Sequence, residues 1–238
     1  MASIKPLGSG LLVVAAMAIS GCAFDSHRHV QSLGELPSDQ MIVVARVEFD
    51  PPLKPHELQV ANDRWGRDKQ GRFWLVHGDR LLDTLEYDVF NRGSAFNSSR
   101  QNRQITTVEL NKDFFISAPR DKPYIISGGY FLLSSETAAV AGVRKGMSSI
   151  NINSRHVPLF LPANLTSSDR AVYLGTIRLY RDKALNVRRV EIRDDYAVAQ
   201  AKFRVKFGEN LTLRKSLLKP RPLPATYTSQ NLKPGHWR

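Results

Sequence analysis

The residue with the clearest chemistry in this chain of 238 residues is Cys22, its only cysteine. A positive charge, Lys5, precedes an apolar run from Leu11 to Ile19, and the small residues Ser20 and Gly21 separate that run from the thiol. The run is too short for a membrane-spanning helix, which needs about 20 predominantly apolar residues. A charged start, a short apolar stretch and small residues at its end are typical of a secretory signal.

The sequence Ile19-Ser20-Gly21-Cys22 resembles the lipobox of bacterial lipoproteins. The resemblance covers residues 1–22. It implies cleavage between Gly21 and Cys22, lipidation of the Cys22 thiol, and acylation of the new amino terminus by chains such as palmitate. In Gram-negative lipoproteins an Asp after the cysteine tends to retain the protein at the inner membrane, so Ala23 favours the outer membrane, facing the periplasm. The alternatives are an uncleaved anchor and a chance cysteine in a signal-like segment.

Serine and carboxylate chemistry is weakly indicated elsewhere in the chain. The stretch Ser127-Gly128-Gly129 could offer backbone amides to an oxyanion, but no Gly-x-Ser-x-Gly elbow is present, and a β-bulge explains the glycines better. The pair Asp194/Asp195 suits a helix cap, and the pair Asp79/Asp83 suits a loop and a solvated face. We therefore expect no catalytic residue.

Metal chemistry has little support either. His27 and His29 lie two residues apart and would need further ligands, of which only Asp25 is near. We expect no metal and no cofactor. An aromatic and basic patch that could stack on sugar or lipid is formed by Trp65, Phe73 and Trp74 with Arg64, Arg67 and Arg72. The competing interpretation places Phe73 and Trp74 in the core.

The chain carries a formal net charge of +12, and removal of the signal with Lys5 leaves +11. Such a charge is typical of nucleic-acid binders, but export argues against nucleic acid as a partner. Anionic envelope polymer, lipid headgroups or a protein partner fit better, and a merely solvated surface is the alternative. Because Cys22 is the only thiol, packing rather than a disulfide must hold the fold.

The charge is concentrated at the carboxyl end, where no acidic residue follows Glu209. Prolines interrupt the last part of this segment, which predicts an irregular tail. The tail could contact an anionic surface or remain solvated, and both interpretations stay open. Its candidate contact residues are Arg214, Lys215, Lys219, Arg221, Lys233 and Arg238.

Composition and periodicity divide the chain into four parts. Residues 1–21 form the signal, residues 22–40 a flexible tether, residues 41–210 a single β-rich domain, and residues 211–238 the basic tail. The tether would span roughly 20–25 Å as a coil. The segment Val157–Asp195 resembles parts of small uncharacterised bacterial lipoproteins, a likeness that carries no functional residues.

Short β-branched and aromatic runs predict a mainly antiparallel β-sandwich or barrel-like domain. Among the predicted strands, residues 171–193 form the clearest hairpin, in which Val172, Leu174, Thr176 and Arg178 should share one face. One helix is predicted from about Asp195 to Phe207, because Tyr196, Ala199, Phe203 and Phe207 recur at helical spacing and Gly208 can end it. A strand is the alternative for its last part.

These features together predict a lipid-anchored envelope lipoprotein that acts as a non-enzymatic structural or binding module. Two other functions stay open. One is a membrane-anchored hydrolase of envelope glycan or lipid, which would need converging acid, base or nucleophile side chains in a cleft. The other is an accessory subunit of an export or appendage complex.

Overall fold

Two β-sheets form the frame of the protein in the computed structural model, which describes residues 29–58, 72–78, 103–133 and 154–222. The strands are β1 (Gln40–Asp50), β2 (Arg72–Gly78), β3 (Arg103–Glu109), β4 (Asp113–Pro119), β5 (Tyr124–Leu132), β6 (Ser154–Ala163), β7 (Ala171–Arg181), β8 (Val187–Arg193) and β9 (Arg214–Lys215). The helix α1 spans Tyr196–Phe207, and short 3-10 helices span Leu33–Glu35 and Pro55–Glu57.

The first sheet has the strand order β4-β1-β7-β8, with β9 also paired to β7, and the second sheet has the order β3-β2-β5-β6. The arrangement is sandwich-like rather than a closed barrel, and its one α-helix among the described residues lies in the carboxyl-terminal half, which confirms the predicted fold class. The first sheet is mixed, however, because β7 runs parallel to both β1 and β9. Pairing between β1 and β7 joins strands far apart in the chain, which local periodicity does not reveal.

The strand β1 is buried on both faces. Its alternate residues Met41, Val43, Ala45, Val47 and Phe49 face the core between the sheets. On the opposite face, Ile42 and Val44 belong to a second apolar cluster that includes residues of α1. A strand with apolar residues on both faces must be covered on both, because a row of exposed apolar side chains would remain in contact with water.

The strand β7 changes face at a bulge around Gly175. Val44 of β1 is opposite Tyr173, whereas Ala45 is opposite Gly175, so Leu174 is the extra residue. An extra residue shifts the alternation by one. The expectation that Val172, Leu174, Thr176 and Arg178 share a face is therefore wrong beyond Leu174. The residues of β7 in the sandwich core are Val172, Leu174, Ile177 and Leu179.

The helix α1 covers one end of the outer face of the first sheet. Ala199, Phe203 and Phe207 are buried, as its spacing predicts, and Phe203 and Phe207 pack against Phe115 of β4. At its start the Tyr196 amide donates to Asp194 Oδ1 at 3.1 Å, while Asp195, at the N-cap position, makes no side-chain capping bond. The helix interpretation is thus confirmed over the strand.

Both ends of the described chain pack on this same layer. Val30 and Leu36 are buried with the helix, and the Val30 amide donates to the Phe115 carbonyl at 2.8 Å. At the other end, Leu213 is buried in the same cluster, whereas Leu218 is buried in the core between the sheets. Residues 29–39, which the sequence suggested as part of a tether, and residues 211–222, suggested as part of a tail, thus contact the domain.

A buried arginine fixes the loop that follows β1. Arg181, at the end of β7, donates from Nε to the Pro51 carbonyl at 2.9 Å and from Nη2 to the Pro52 carbonyl at 2.8 Å. It also forms a bidentate pair with Glu57, with distances of 3.1 and 2.8 Å. Because four donor contacts satisfy this guanidinium, its burial is compensated.

We expect Gly175→Ala to destabilise the protein by about 2–4 kcal/mol, because strain and overpacking act at the same position. Gly175 has φ +105°, and an added Cβ would lie 2.5 Å from Ile192 Cγ2. Urea unfolding would measure the change. Gly34→Ala is the control, since an added Cβ there meets nothing within 4 Å. Equal unfolding midpoints for the two variants would contradict the assignment of the bulge.

Candidate functional site

The residues of the predicted lipidation site, Gly21 and Cys22, lie outside the described residues. The described chain begins at His29, whose Nε2 lies 2.8 Å from the Thr107 carbonyl oxygen. Residue 29 also forms an isolated β-bridge with Ile116 of β4. Seven residues of extended chain reach at most about 25 Å. Cys22 is therefore within that distance of the edge of the first sheet.

Arg214, the first predicted contact cation, is part of the fold. In β9 it forms a bidentate pair with Asp169, with Nε–Oδ1 at 2.6 Å and Nη2–Oδ2 at 2.5 Å. Burial raises the pKa of Asp169, but hydrogen bonds from Arg214 and Thr166 outweigh that effect and hold the pKa below its usual value. The charge of Arg214 is thus used inside the domain.

Lys215 is also paired within the chain. Its Nζ lies 2.9 Å from Asp194 Oδ2 and 5.5 Å from the centre of the Tyr196 ring. The hydrogen bond with Asp194 raises the pKa of Lys215. Lys219 and Arg221 are exposed, whereas Lys233 and Arg238 lie outside the described residues. Among the predicted contact residues that the structure describes, Lys219 and Arg221 therefore carry the charges that are available to an external surface.

The outer face of α1 is a cationic surface that the sequence reasoning did not single out. Three cations, Lys202, Arg204 and Lys206, lie in a helix that holds no acidic residue, and all three are exposed. Between them lie two exposed apolar side chains, Val205 at 90% and Val198 at 52% exposure. The signal that could have found this surface is the absence of Asp and Glu from residues 196–207.

The part of the outer sheet face that α1 does not cover carries cross-strand ion pairs. Glu48 of β1 accepts from Arg178 Nε at 2.7 Å and from Arg193 Nη1 at 3.3 Å. On the same face, Tyr180 donates to Glu191 at 2.6 Å. The hydrogen bond from Tyr180 lowers the pKa of Glu191. Both carboxylates are thus engaged by neighbouring strands, an arrangement that fixes register rather than leaving an acid or base available to a substrate.

The serine-glycine stretch and the aromatic residues that the sequence suggested as possible sites lie in separate parts of the fold. Ser127 is buried, and its Oγ donates to the Val76 carbonyl at 3.4 Å. The register of β5 shifts between Ile126 and Gly128, which confirms the bulge interpretation. Phe73 lies in the core. Trp74 stacks on Tyr130 with ring centroids 5.0 Å apart.

The remaining candidates Asp79, Asp83, Arg64, Trp65 and Arg67 lie outside the described residues. Within the described ranges, no three or more His, Cys, Asp or Glu side chains group as a metal site would require. No helix in the same part of the chain is long and apolar enough to cross a membrane.

Comparison with known proteins adds no relative to this geometry. No protein-family model, no curated protein and no solved structure matches the chain.

We expect Asp169→Asn to lower the free energy of unfolding at neutral pH by about 1–2 kcal/mol, the lower part of the range for charged pairs because Arg214 stays 36% exposed. A carboxylate whose folded pKa is lowered stabilises the fold above its unfolded pKa of about 3.9 and loses that effect as pH falls through the folded pKa. The difference between the two proteins should therefore shrink below about pH 4.

Urea unfolding between neutral and acidic pH measures this difference. Asp121→Asn provides the control, since Asp121 is exposed in the turn between β4 and β5 and should leave stability almost unchanged. A difference for Asp169→Asn that stays constant down to acidic pH would show that the carboxylate charge does not stabilise β9.

Proposed function

We propose that this protein is a lipid-anchored envelope lipoprotein, which acts as a non-enzymatic binding or structural module at the periplasmic side of the outer membrane. The observation that carries the proposal is the lone cysteine at the end of Ile19-Ser20-Gly21-Cys22, behind a charged and then apolar segment. A thiol with this context is typical of a lipid attachment site, and no second cysteine competes for the assignment.

The position of the first described residues supports the proposal. Val30 and Leu36 are buried against α1, so the folded part begins within a few residues of Cys22. An attachment at Cys22 would therefore keep the domain close to its membrane. Two or more acyl chains hold a protein stably, because each buried methylene contributes about 0.8 kcal/mol.

The charges of the described surface support a non-enzymatic role. The carboxylates Glu48, Asp113 and Asp169 are each held by arginine at 2.5–3.3 Å. A carboxylate that is paired with arginine inside the chain has its oxygens engaged in holding neighbouring segments together. The net charge of +12 suits anionic envelope polymer, lipid or an acidic protein partner.

Cys22→Ser tests the anchor directly. We expect the variant to accumulate as uncleaved precursor and to incorporate no radiolabelled fatty acid, because the acceptor thiol is absent. An immunoblot measures the precursor, and fluorography of the immunoprecipitated protein measures the label. Ser26→Ala, four residues downstream, should be processed and acylated like the natural chain. Fatty acid still attached to the Cys22→Ser protein would refute the proposed lipidation.

Ala23→Asp tests the membrane assignment in a Gram-negative host. The resemblance to lipoproteins implies that an acidic residue after the lipidated cysteine retains the protein at the inner membrane. We expect Ala23→Asp to move the protein from the outer-membrane to the inner-membrane fraction of a density gradient, whereas Ala23→Ser stays in the outer-membrane fraction. An identical distribution of the two variants would contradict the assignment.

A further inference from the structure

The helix α1 is apolar on two opposite faces. One face, with Ala199, Phe203 and Phe207, packs on the sheet. At 3.6 residues per turn, Val198, Ala201 and Val205 form a second stripe on the side away from the sheet. A helix that packs one face on a domain normally turns a charged face to water. The exposed valines therefore indicate a second contact.

Cations lie on both sides of this stripe. Helical spacing places Lys202 and Lys206 on one side and Arg204 on the other. Arg204 is exposed. Lys202 Nζ lies 2.8 Å from Asp113 Oδ2. Because Arg46 also pairs with Asp113, at 2.8 Å, that carboxylate is already neutralised and does not oppose an incoming anion.

Lys206 connects the stripe to the amino-terminal segment. Its Nζ lies 4.8 Å from the centre of the Phe115 ring and 3.2 Å from Gln31 Oε1. Beside this segment, Glu35 accepts from the Gln31 amide at 3.4 Å. Glu209 follows the helix, and the two carboxylates that precede it, Asp194 and Asp195, pair with Lys215 and Arg193. The face itself presents cations and apolar side chains alone.

We propose that this face of α1 docks on the anionic phospholipid headgroups of the membrane that holds the Cys22 lipid. The proposal rests on the proposed lipid anchor and adds an orientation to it. Val198 and Val205 enter the headgroup region, while Lys202, Arg204 and Lys206 extend their charged ends to the phosphates. Long cationic side chains can do both, because their stems are apolar and their ends remain hydrated.

The charge of the face and the length of the chain to Cys22 indicate a lipid bilayer as the partner of this face. A cationic rim around an apolar stripe is complementary to a surface with anionic headgroups over an apolar interior. Residues 22–29 reach at most about 25 Å, and the segment that they lead into contacts α1. The anchor therefore holds the face at high effective concentration near the bilayer, so that a contact too weak to act alone becomes populated.

The position of the face can be read with a thiol-reactive fluorophore, because an acylated Cys22 leaves no other free thiol. The full lipidated protein with Val205→Cys carries the fluorophore on the stripe. Lys183→Cys carries it in the exposed turn between β7 and β8 and is the matched control. Each protein is reconstituted in vesicles of phosphatidylcholine alone or with an equal part of phosphatidylglycerol, and iodide quenching is measured.

We expect the fluorophore at position 205 to shift to shorter wavelength and to be shielded from iodide in the phosphatidylglycerol vesicles, and the fluorophore at 183 to stay accessible. Added Arg204→Glu should lower the docking equilibrium about tenfold or more, since each cation near an anionic surface contributes about fivefold. Lys54→Glu, which reverses an exposed charge in the loop after β1, should have a much smaller effect. High salt should release the face, because the Debye length is about 3 Å at 1 M.

Equal iodide quenching at positions 205 and 183 in both vesicle types would overturn the docking proposal, as would shielding that Arg204→Glu and salt leave unchanged. These failures differ from a failure of the anchor. A protein that is vesicle-bound and acylated, but whose residue 205 is in water, refutes docking alone. A protein without acyl mass on Cys22 refutes the anchor, and the docking proposal falls with it.

Discussion

The fold depends on a pair of parallel strands, β1 and β7, that are apolar on both faces. Burying them on one side builds the sandwich core with the second sheet. Burying them on the other side requires a further layer, and α1 with the two chain ends supplies it. The free energy gained by burying apolar side chains is proportional to the area removed from water. These covering segments therefore contribute to the stability of the domain.

The bulge at Gly175 makes this double burial compatible with one continuous strand. Before the bulge, Tyr173 faces the helix layer. After it, Ile177 and Leu179 still face the sandwich core, so Arg178 is turned outward to Glu48. A strictly alternating strand would place Arg178 in the core, where an unpaired charge is very costly. One residue with positive φ thus separates an apolar covered region from a charged open one on the same sheet face.

Local patterns in the sequence were sufficient for much of this description. Short β-branched and aromatic runs predicted the β-rich class, and the spacing of Tyr196, Ala199, Phe203 and Phe207 located α1. Pairing between distant segments could not be predicted in the same way. Arg214 and Asp169 are 45 residues apart, and no periodicity links them, so the segment around Arg214 was assigned to a tail.

In the candidate site, too, local patterns reveal some features and only contacts between distant segments reveal the others. The proposed lipobox, Ile19-Ser20-Gly21-Cys22, is a contiguous motif, which a single sequence can reveal. The cations of α1 become a surface only when the buried face of the helix is known, because Val198 and Val205 would otherwise be taken for core residues. The buried Val30 and Leu36 have no regular spacing, and only their contacts with α1 distinguish them from a tether.

The bridge between His29 and Ile116 would affect copies of the protein that lie side by side on the proposed membrane. Because β4 is an edge strand, its free backbone groups could template pairing with a strand of another molecule. The chain that leads toward Cys22 occupies part of that edge, where the Val30 amide already binds the Phe115 carbonyl. Crowding on a surface favours edge-to-edge association. The segment nearest the proposed anchor therefore blocks part of the edge at which neighbouring molecules would otherwise join.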